Sequence, residues 1–264
     1  MKLLSLSIAL VSFIGLATAQ TVPSYVPVSG LEAWYSFNGS ATDSSGNGNN
    51  GTVHGATPVN NRLGIANSAY SFNGINNYII IPSSPSLNIT ADVSILAWVK
   101  SNYTSTGQAQ IYFRGDTRSP YDPYLMYRTY DSISFLRNVG LGYTFNSVSF
   151  PISMLDTSMF HMFAGTYSAS DDSMKIYLDG ALIKKAYRPG VISYYTDSAH
   201  NTVGACDYGT WQFFNGIIDD IGTWNKRLSD CEISKLYLGT PTLITSNPAN
   251  CSTTVGGTAN FIIY

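Results

Sequence analysis

The chain has sixteen acidic residues, but only two are glutamates, Glu32 and Glu232, and these stand at opposite ends. Hydrolysis of a glycosidic bond needs two carboxyl groups a few ångströms apart, one moving a proton and the other acting as nucleophile or base. Neither glutamate sits on a predicted strand with an acidic same-face neighbour two or four positions away. Asp219-Asp220 is the one acidic dyad in a predicted strand. Successive strand residues point to opposite faces, so these two are not expected to share a cleft. Asp171-Asp172 falls in a predicted turn. His54, His161 and His200 lie far apart without zinc-ligand spacing, and no nucleophile elbow, P-loop or dinucleotide fingerprint occurs. The residues predict a chain that is not an enzyme.

The elements that would position any site read as strands. In Phe160–Lys184 (FHMFAGTYSASDDSMKIYLDGALIK), Met162, Ala164 and Thr166 alternate with His161, Phe163, Gly165 and Tyr167. Lys175, Tyr177 and Asp179 then alternate with Ile176 and Leu178, a period of two that suits strands and not a helix. Asp179-Gly180 favours a type I′ turn, which completes a three-stranded meander. His161 reads as a structural partner. Leu31–Phe37 is a strand with Leu31, Ala33, Tyr35 and Phe37 on one face. Further strands are expected at Thr52–Ala56, Asn67–Asn73, Asn76–Pro82, Asp92–Lys100, Gln110–Arg114, Pro123–Arg128, Ser132–Arg137, Thr144–Phe150, Thr202–Cys206 and Phe214–Trp224. Asp92–Lys100 is apolar on both faces and so central in a sheet, with Trp98 as core anchor. Leu228–Leu238 is the one helix, with Ser229 and Glu232 forming a capping box.

Composition agrees with many turns: 23 Gly, 19 Tyr and 11% charged residues. A net charge of −2 predicts neither nucleic-acid binding nor attachment to anionic membranes. Lys2, the apolar run Leu3–Leu16 and the small residues Ala17-Thr18-Ala19 read as a signal peptide over 1–19, cleaved before Gln20. No other stretch is long and apolar enough to span a bilayer. Secretion exposes three cysteines, Cys206, Cys231 and Cys251, to oxidation. Cys206 and Cys231 can pair inside the domain, leaving Cys251 to seek a partner past Tyr264.

Several motifs together resemble the LamG-like jelly rolls of the concanavalin A-like lectin/glucanase superfamily. FHMFAGTY followed by KIYLDGALI is similar to that family's W-H-x-x-x-G-T-Y … L-Y-V-D-G hairpin, with Phe160 in place of Trp. Phe37, Gly39, Ala41, Asp43, Ser45, Gly46, Asn47, Gly48 and Gly51 follow its N-terminal signature. Gly216 to Asp220 resembles its penultimate strand. The resemblance covers roughly 28–240, after a linker at 20–27. It implies an all-β, two-sheet antiparallel β-sandwich with one short C-terminal helix. From residue 241 the chain resembles the start of a bacterial immunoglobulin-like module that breaks off at residue 264, as in a fragment of a multidomain protein.

The resemblance implies a secreted or cell-surface, non-catalytic binding module, most plausibly for glycans. The alternatives are a protein-binding adhesion or spacer module, and an accessory domain of a glycoside hydrolase. Its partner is then a glycan or an extracellular protein. Sandwich lectins stack aromatic rings on sugar faces and add polar groups for the hydroxyls. Tyr112, Arg114, Tyr127, Arg128, Tyr130, Tyr208 and Trp211 lie on strands and loops expected to line one face. The family also often holds calcium beside the sandwich. Asp43, Asn47, Asp219 and Asp220 are the expected ligands here, because an acidic dyad in an apolar strand needs compensation and no Lys or Arg follows it before Lys226. The rival arrangement has no metal, with an aspartate accepting backbone N–H bonds.

Overall fold

The computed structural model describes residues 21–102, 107–115, 122–139, 145–190, 199–207 and 209–239. Within these, the alternating segments form β1 (Leu31–Tyr35), β2 (Thr52–His54), β3 (Thr57–Val59), β4 (Ala69–Asn73), β5 (Tyr78–Ile81), β6 (Val93–Ser101), β7 (Ala109–Gly115) and β8 (Tyr124–Arg128). They continue as β9 (Ser132–Asn138), β10 (Phe145–Pro151), β11 (His161–Ser168), β12 (Ser173–Leu178), β13 (Ala181–Tyr187), β14 (His200–Val203) and β15 (Asn215–Trp224), before helix α1 (Asp230–Leu238). Only β3 has no counterpart in the sequence reading: it is three residues long with Pro58 at its centre, so no alternation marks it. The expected signal peptide and the segment from residue 241 lie outside the described residues. Among the described residues no helix is long and apolar enough to cross a membrane.

The strands make two antiparallel sheets packed as a sandwich. One, of eight strands, runs β13-β12-β11-β6-β15-β4-β3, with β1 also paired to β15; the other, of seven, runs β10-β9-β8-β7-β14-β5-β2. The meander is β11-β12-β13, and Asp179 and Gly180 turn between its last two strands with φ of 50° and 80°, as a type I′ turn requires. β6 is central, flanked by β11 and β15. His161 Nδ1 lies 2.7 Å from Asp179 Oδ2, and its Nε2 lies 3.0 Å from the Asp156 carbonyl oxygen. The ring thus ties the loop before β11 to the β12–β13 turn. Ser229 and Glu232 form the capping box that starts α1.

The core between the sheets holds Tyr35, Phe37, Phe72, Ile95, Tyr112, Phe135, Phe163 and Ile221, among others. Gly165 of β11 faces Phe135 of β9 so closely that any β-carbon would strike the ring. That glycine sets the spacing of the sheets. One expectation fails at a bulge. A register shift between Leu31 and Ala33 sends Leu31 to the outer face, while Ala33, Tyr35 and Phe37 keep the core. Trp98 is buried in a core as expected, the second one, on the outer side of the eight-stranded sheet, where it stacks on Tyr237 of α1 at 5.6 Å.

Candidate binding cleft

The outer face of the seven-stranded sheet carries a cleft of about 370 Å³. Strand parity builds its floor. In β8, Tyr124 and Met126 enter the core, which turns Leu125 and Tyr127 outward; in β9, Ile133 and Phe135 turn in and Leu136 turns out. Phe113 of β7 and Cys206 complete this apolar floor. Burial pushes the Cys206 thiol far above its ordinary range, so it behaves as an inert apolar group.

The rim is polar and ordered. Asp207 and Gln212 hold positive φ (45° and 51°), and Gly209 N and Thr210 N both donate to the Cys206 carbonyl at 2.9 and 3.1 Å. This tight turn lifts Trp211 over the floor with its side chain 54% exposed. The indole Nε1 donates to Asp207 Oδ2 at 2.6 Å, which fixes the ring plane. Beside it runs a chain of amides: Gln110 Nε2 donates to Gln212 Oε1 at 2.6 Å, and Gln212 Nε2 donates to Gln108 Oε1 at 2.8 Å. An exposed, fixed aromatic plane above apolar side chains, edged by amides, suits a ligand with one apolar face and many hydroxyls.

Of the expected ligand residues, Tyr127 and Trp211 meet in this cleft. Tyr208 lies outside the described residues, and Tyr130 is exposed but does not line the cleft. Three expectations are corrected. Tyr112 is fully buried between the sheets, where its hydroxyl meets Asn201 and Thr223. Arg114 is also fully buried and donates to Asn201 Oδ1 at 2.7 Å and to Asn88 Oδ1. Arg128 is 3% exposed and donates to the Gly107 carbonyl. The reason is parity: Arg128 follows the outward Tyr127 and Arg114 follows the outward Phe113, so both must turn in. Tyr112 follows a register shift beyond Gln110 that sets its side. The sequence reading missed Gln108, Gln110 and Gln212, whose residue type carries no signal until the register is known.

The four expected calcium ligands fall into two separately satisfied groups. Asp43 Oδ1 accepts from the backbone of Trp34 (3.0 Å) and Ser45 (2.9 Å), and Oδ2 accepts from Ser45 Oγ (2.8 Å) and Asn49 N (2.9 Å). Asn47 turns its amide nitrogen toward the Leu31 and Glu32 carbonyls. Asp219 and Asp220 bind Arg62, from the loop between β3 and β4, at 2.5 and 2.8 Å. The compensating cation is therefore a distant arginine that no inspection of neighbouring residues would find. The expectation that the two aspartates face apart also fails, because a register shift between Asp219 and Ile221 brings both to one guanidinium. With Asp43 saturated by donors and the dyad on Arg62, this set does not fit a shared calcium. Burial, then the Asp219 charge, push the Asp220 carboxyl up to about 7. Burial also raises Asp219, against the pull of Arg62.

The expected Cys206–Cys231 bridge does not form, because Cys206 is a free, buried thiol. It lies under the cleft of one sheet, whereas Cys231 starts the helix that covers the other.

Two antiparallel sheets, a central β6 and a closing C-terminal helix define a concanavalin A-like jelly roll. The chain belongs to the Laminin_G_3 family of the concanavalin A-like lectin/glucanases superfamily, whose model matches residues 72–234. Among curated proteins no sequence matches the chain. The solved structures similar to it include the binding domain of botulinum neurotoxin serotype D (TM-score 0.64, 17% identity, covering 80% of this chain and 52% of that one). Domain 4 of AbnA, a GH43 extracellular arabinanase from Geobacillus stearothermophilus, solved with arabinotriose, has a TM-score of 0.60 at 18% identity, covering 78% and 98%. The binding domain of botulinum neurotoxin DC with SialylT reaches 0.59 at 16%, covering 80% and 51%. The chain thus spans about half the length of the toxin binding domains it matches. At these identities the similarity is one of fold.

Proposed function

We propose that the chain is a secreted, non-catalytic carbohydrate-binding module of a larger extracellular or cell-surface protein, and that the cleft on the seven-stranded sheet takes the glycan. The observation that carries the reading is Trp211, exposed yet fixed by Asp207 above an apolar floor. A single exposed aromatic is ordinary on a protein surface; Trp211 stands apart because Asp207 holds it at the edge of a concave, largely apolar cleft. Arabinotriose and SialylT in structures of similar fold are consistent with glycan binding. The non-catalytic part rests on the carboxylates: Asp219 and Asp220 are buried on Arg62, and Glu232 caps α1 and pairs with Lys226 at 2.7 Å.

A glycan array probed with the full chain, followed by calorimetry on Trp211→Ala, tests the reading. Binding to at least one glycan is expected, with a loss of about tenfold or more in the variant, the scale of an aromatic stacking contact. A blank array, or full affinity in Trp211→Ala, would overturn it; a blank array together with capture of a purified extracellular protein would favour the protein-binding alternative.

A further inference from the structure

We propose that the cleft takes an extended, uncharged oligosaccharide laid across the strands, with Trp211 and Phe145 as platforms for two different sugar units. This rests on the glycan reading and names the length and charge class of the ligand. Trp211 and Phe145 both line the cleft and are 54% and 41% exposed. Parity puts Phe145 on this face: Val148 and Phe150 of β10 enter the core, so Phe145 and Ser147 turn outward.

Register sets the two rings apart. Phe113 of β7 pairs with Leu125 of β8, and Leu125 pairs with Leu136 of β9, so the three form one apolar row at right angles to the strands. Leu136 pairs in turn with Ser147 of β10, two residues from Phe145. At the other end, Gln110 N donates to the Gln212 carbonyl at 3.0 Å, which places the Trp211 turn against β7 on the β14 side. From β7 to β10 is three strand spacings, about 14 Å, and each sugar of an extended chain covers about one spacing, so the floor spans about three units. A lone sugar stacked on Trp211 would leave Phe145 untouched. Charge sets the second limit. Asp122 and Asp207 line the cleft, and among the described residues lining it there is no Lys, Arg or His. Burial first, and then the charges of Asp207 and Asp122, push the Cys206 thiol up, so both carboxylates are felt at the floor. A carboxylate on the ligand would be repelled there, a cost that a neutral sugar escapes.

Calorimetry of the full chain against arabino-, xylo-, cello- and manno-oligosaccharides of one to six units tests length. In the series that binds, affinity should climb about tenfold or more between one unit and four, the scale of one further aromatic contact. Phe145→Ala should remove most of that climb, and Phe145→Tyr should keep it, whereas Trp211→Ala should weaken short and long sugars alike. Should Phe145→Ala not fold, Phe145→Leu, which keeps apolar bulk without a flat ring, reads the same loss. Sialyllactose and trigalacturonate test charge, and each should bind about tenfold or more weakly than the best neutral trimer. A single sugar that binds as tightly as its tetramer, a climb that survives loss of the Phe145 ring, or an acidic probe that matches the neutral trimer overturns the inference, while Trp211-dependent binding keeps the glycan reading. If no sugar on the panel binds, both fall.

Discussion

The two outer faces of this sandwich are made of similar residues and meet opposite fates. On the eight-stranded sheet, Trp34, Leu96, Trp98, Met162, Tyr177 and Trp224 lie under α1, the residues that lead into it and the N-terminal segment, which add Val26, Leu228, Ile233 and Leu236. The cover is pinned by polar bonds: Trp224 Nε1 donates to the Pro27 carbonyl at 2.7 Å, and the Tyr177 hydroxyl donates to Asp230 at 2.7 Å. On the seven-stranded sheet only Phe113, Leu125, Leu136 and Cys206 form a buried outer cluster among the described residues, and Trp211 stands open above it. Apolar surface under a cover contributes to folding, whereas the same surface left open and rigid is available to a ligand. One outer face is closed by packing, and the other is the face on which the glycan cleft is proposed.

The largest expected effect lies on the closed face. Arg62→Met leaves Asp219 and Asp220 buried without their cation and removes the guanidinium that sits 4.6 Å over the Trp98 ring. Breaking a buried pair by deleting one partner typically destabilises by about 3–5 kcal/mol. Urea unfolding should show a loss of that order. Trp211→Ala, on the open face, should stay within about 0.5 kcal/mol of the parent. Equal losses at the two sites would break the comparison.

The next effect is one of pH. One guanidinium against two buried carboxylates leaves a charge in excess, and the Asp220 carboxyl stands at about 7 against an ordinary aspartate value of 3.8. Its pKa is raised on folding, so the folded chain holds a proton that the unfolded chain has lost over that interval. Stability must therefore fall as pH rises from about 4 toward about 7 and level off above. Asp230 and Glu232, held low by Lys175 and Lys226, act in the opposite sense only at the acid end. Asp220→Asn, which keeps an acceptor for Arg62, should flatten the decline, recovering on the order of 2 kcal/mol at pH 8. A parent whose midpoint rises between pH 5 and 7.5 would show that the excess charge is neutralised by another group.

The contrast between the faces also explains what could be read from the chain beforehand. The sheets were legible because burial on one side imposes a period of two, and the capping box and Asp-Gly turn act through neighbours in sequence. The bulges were not. A bulge inserts one residue without a compositional mark, and those in β1 and β15 reversed predictions: Leu31 went outward, and Asp219 and Asp220 came together. Arg62 lies 157 residues from Asp219, beyond any local signal. In the cleft, Trp211 was identified by type alone. Tyr112, Arg114 and Arg128 failed because a side chain's face depends on register, and Gln110 was invisible until the register was known.

The smallest expected effect is the response to calcium, and it tests whether the closed face is self-sufficient. Each carboxylate there already has protein partners: Arg62 bonds both members of the dyad, and four N–H and O–H donors serve Asp43 beside β1. A site of about 10 μM affinity present only in the folded chain would stabilise it by about 2.7 kcal/mol in 1 mM calcium, which for a domain of this size raises the melting midpoint by several degrees. No such rise is expected, and chelator should leave the midpoint where it was. Asp43→Asn should lower the midpoint modestly and to the same extent with and without calcium. An amide nitrogen would then oppose a backbone N–H, and that loss owes nothing to a metal. A calcium-dependent rise that Asp43→Asn abolishes would make the cover conditional on an ion, and the closed face would no longer be the one that stands unaided.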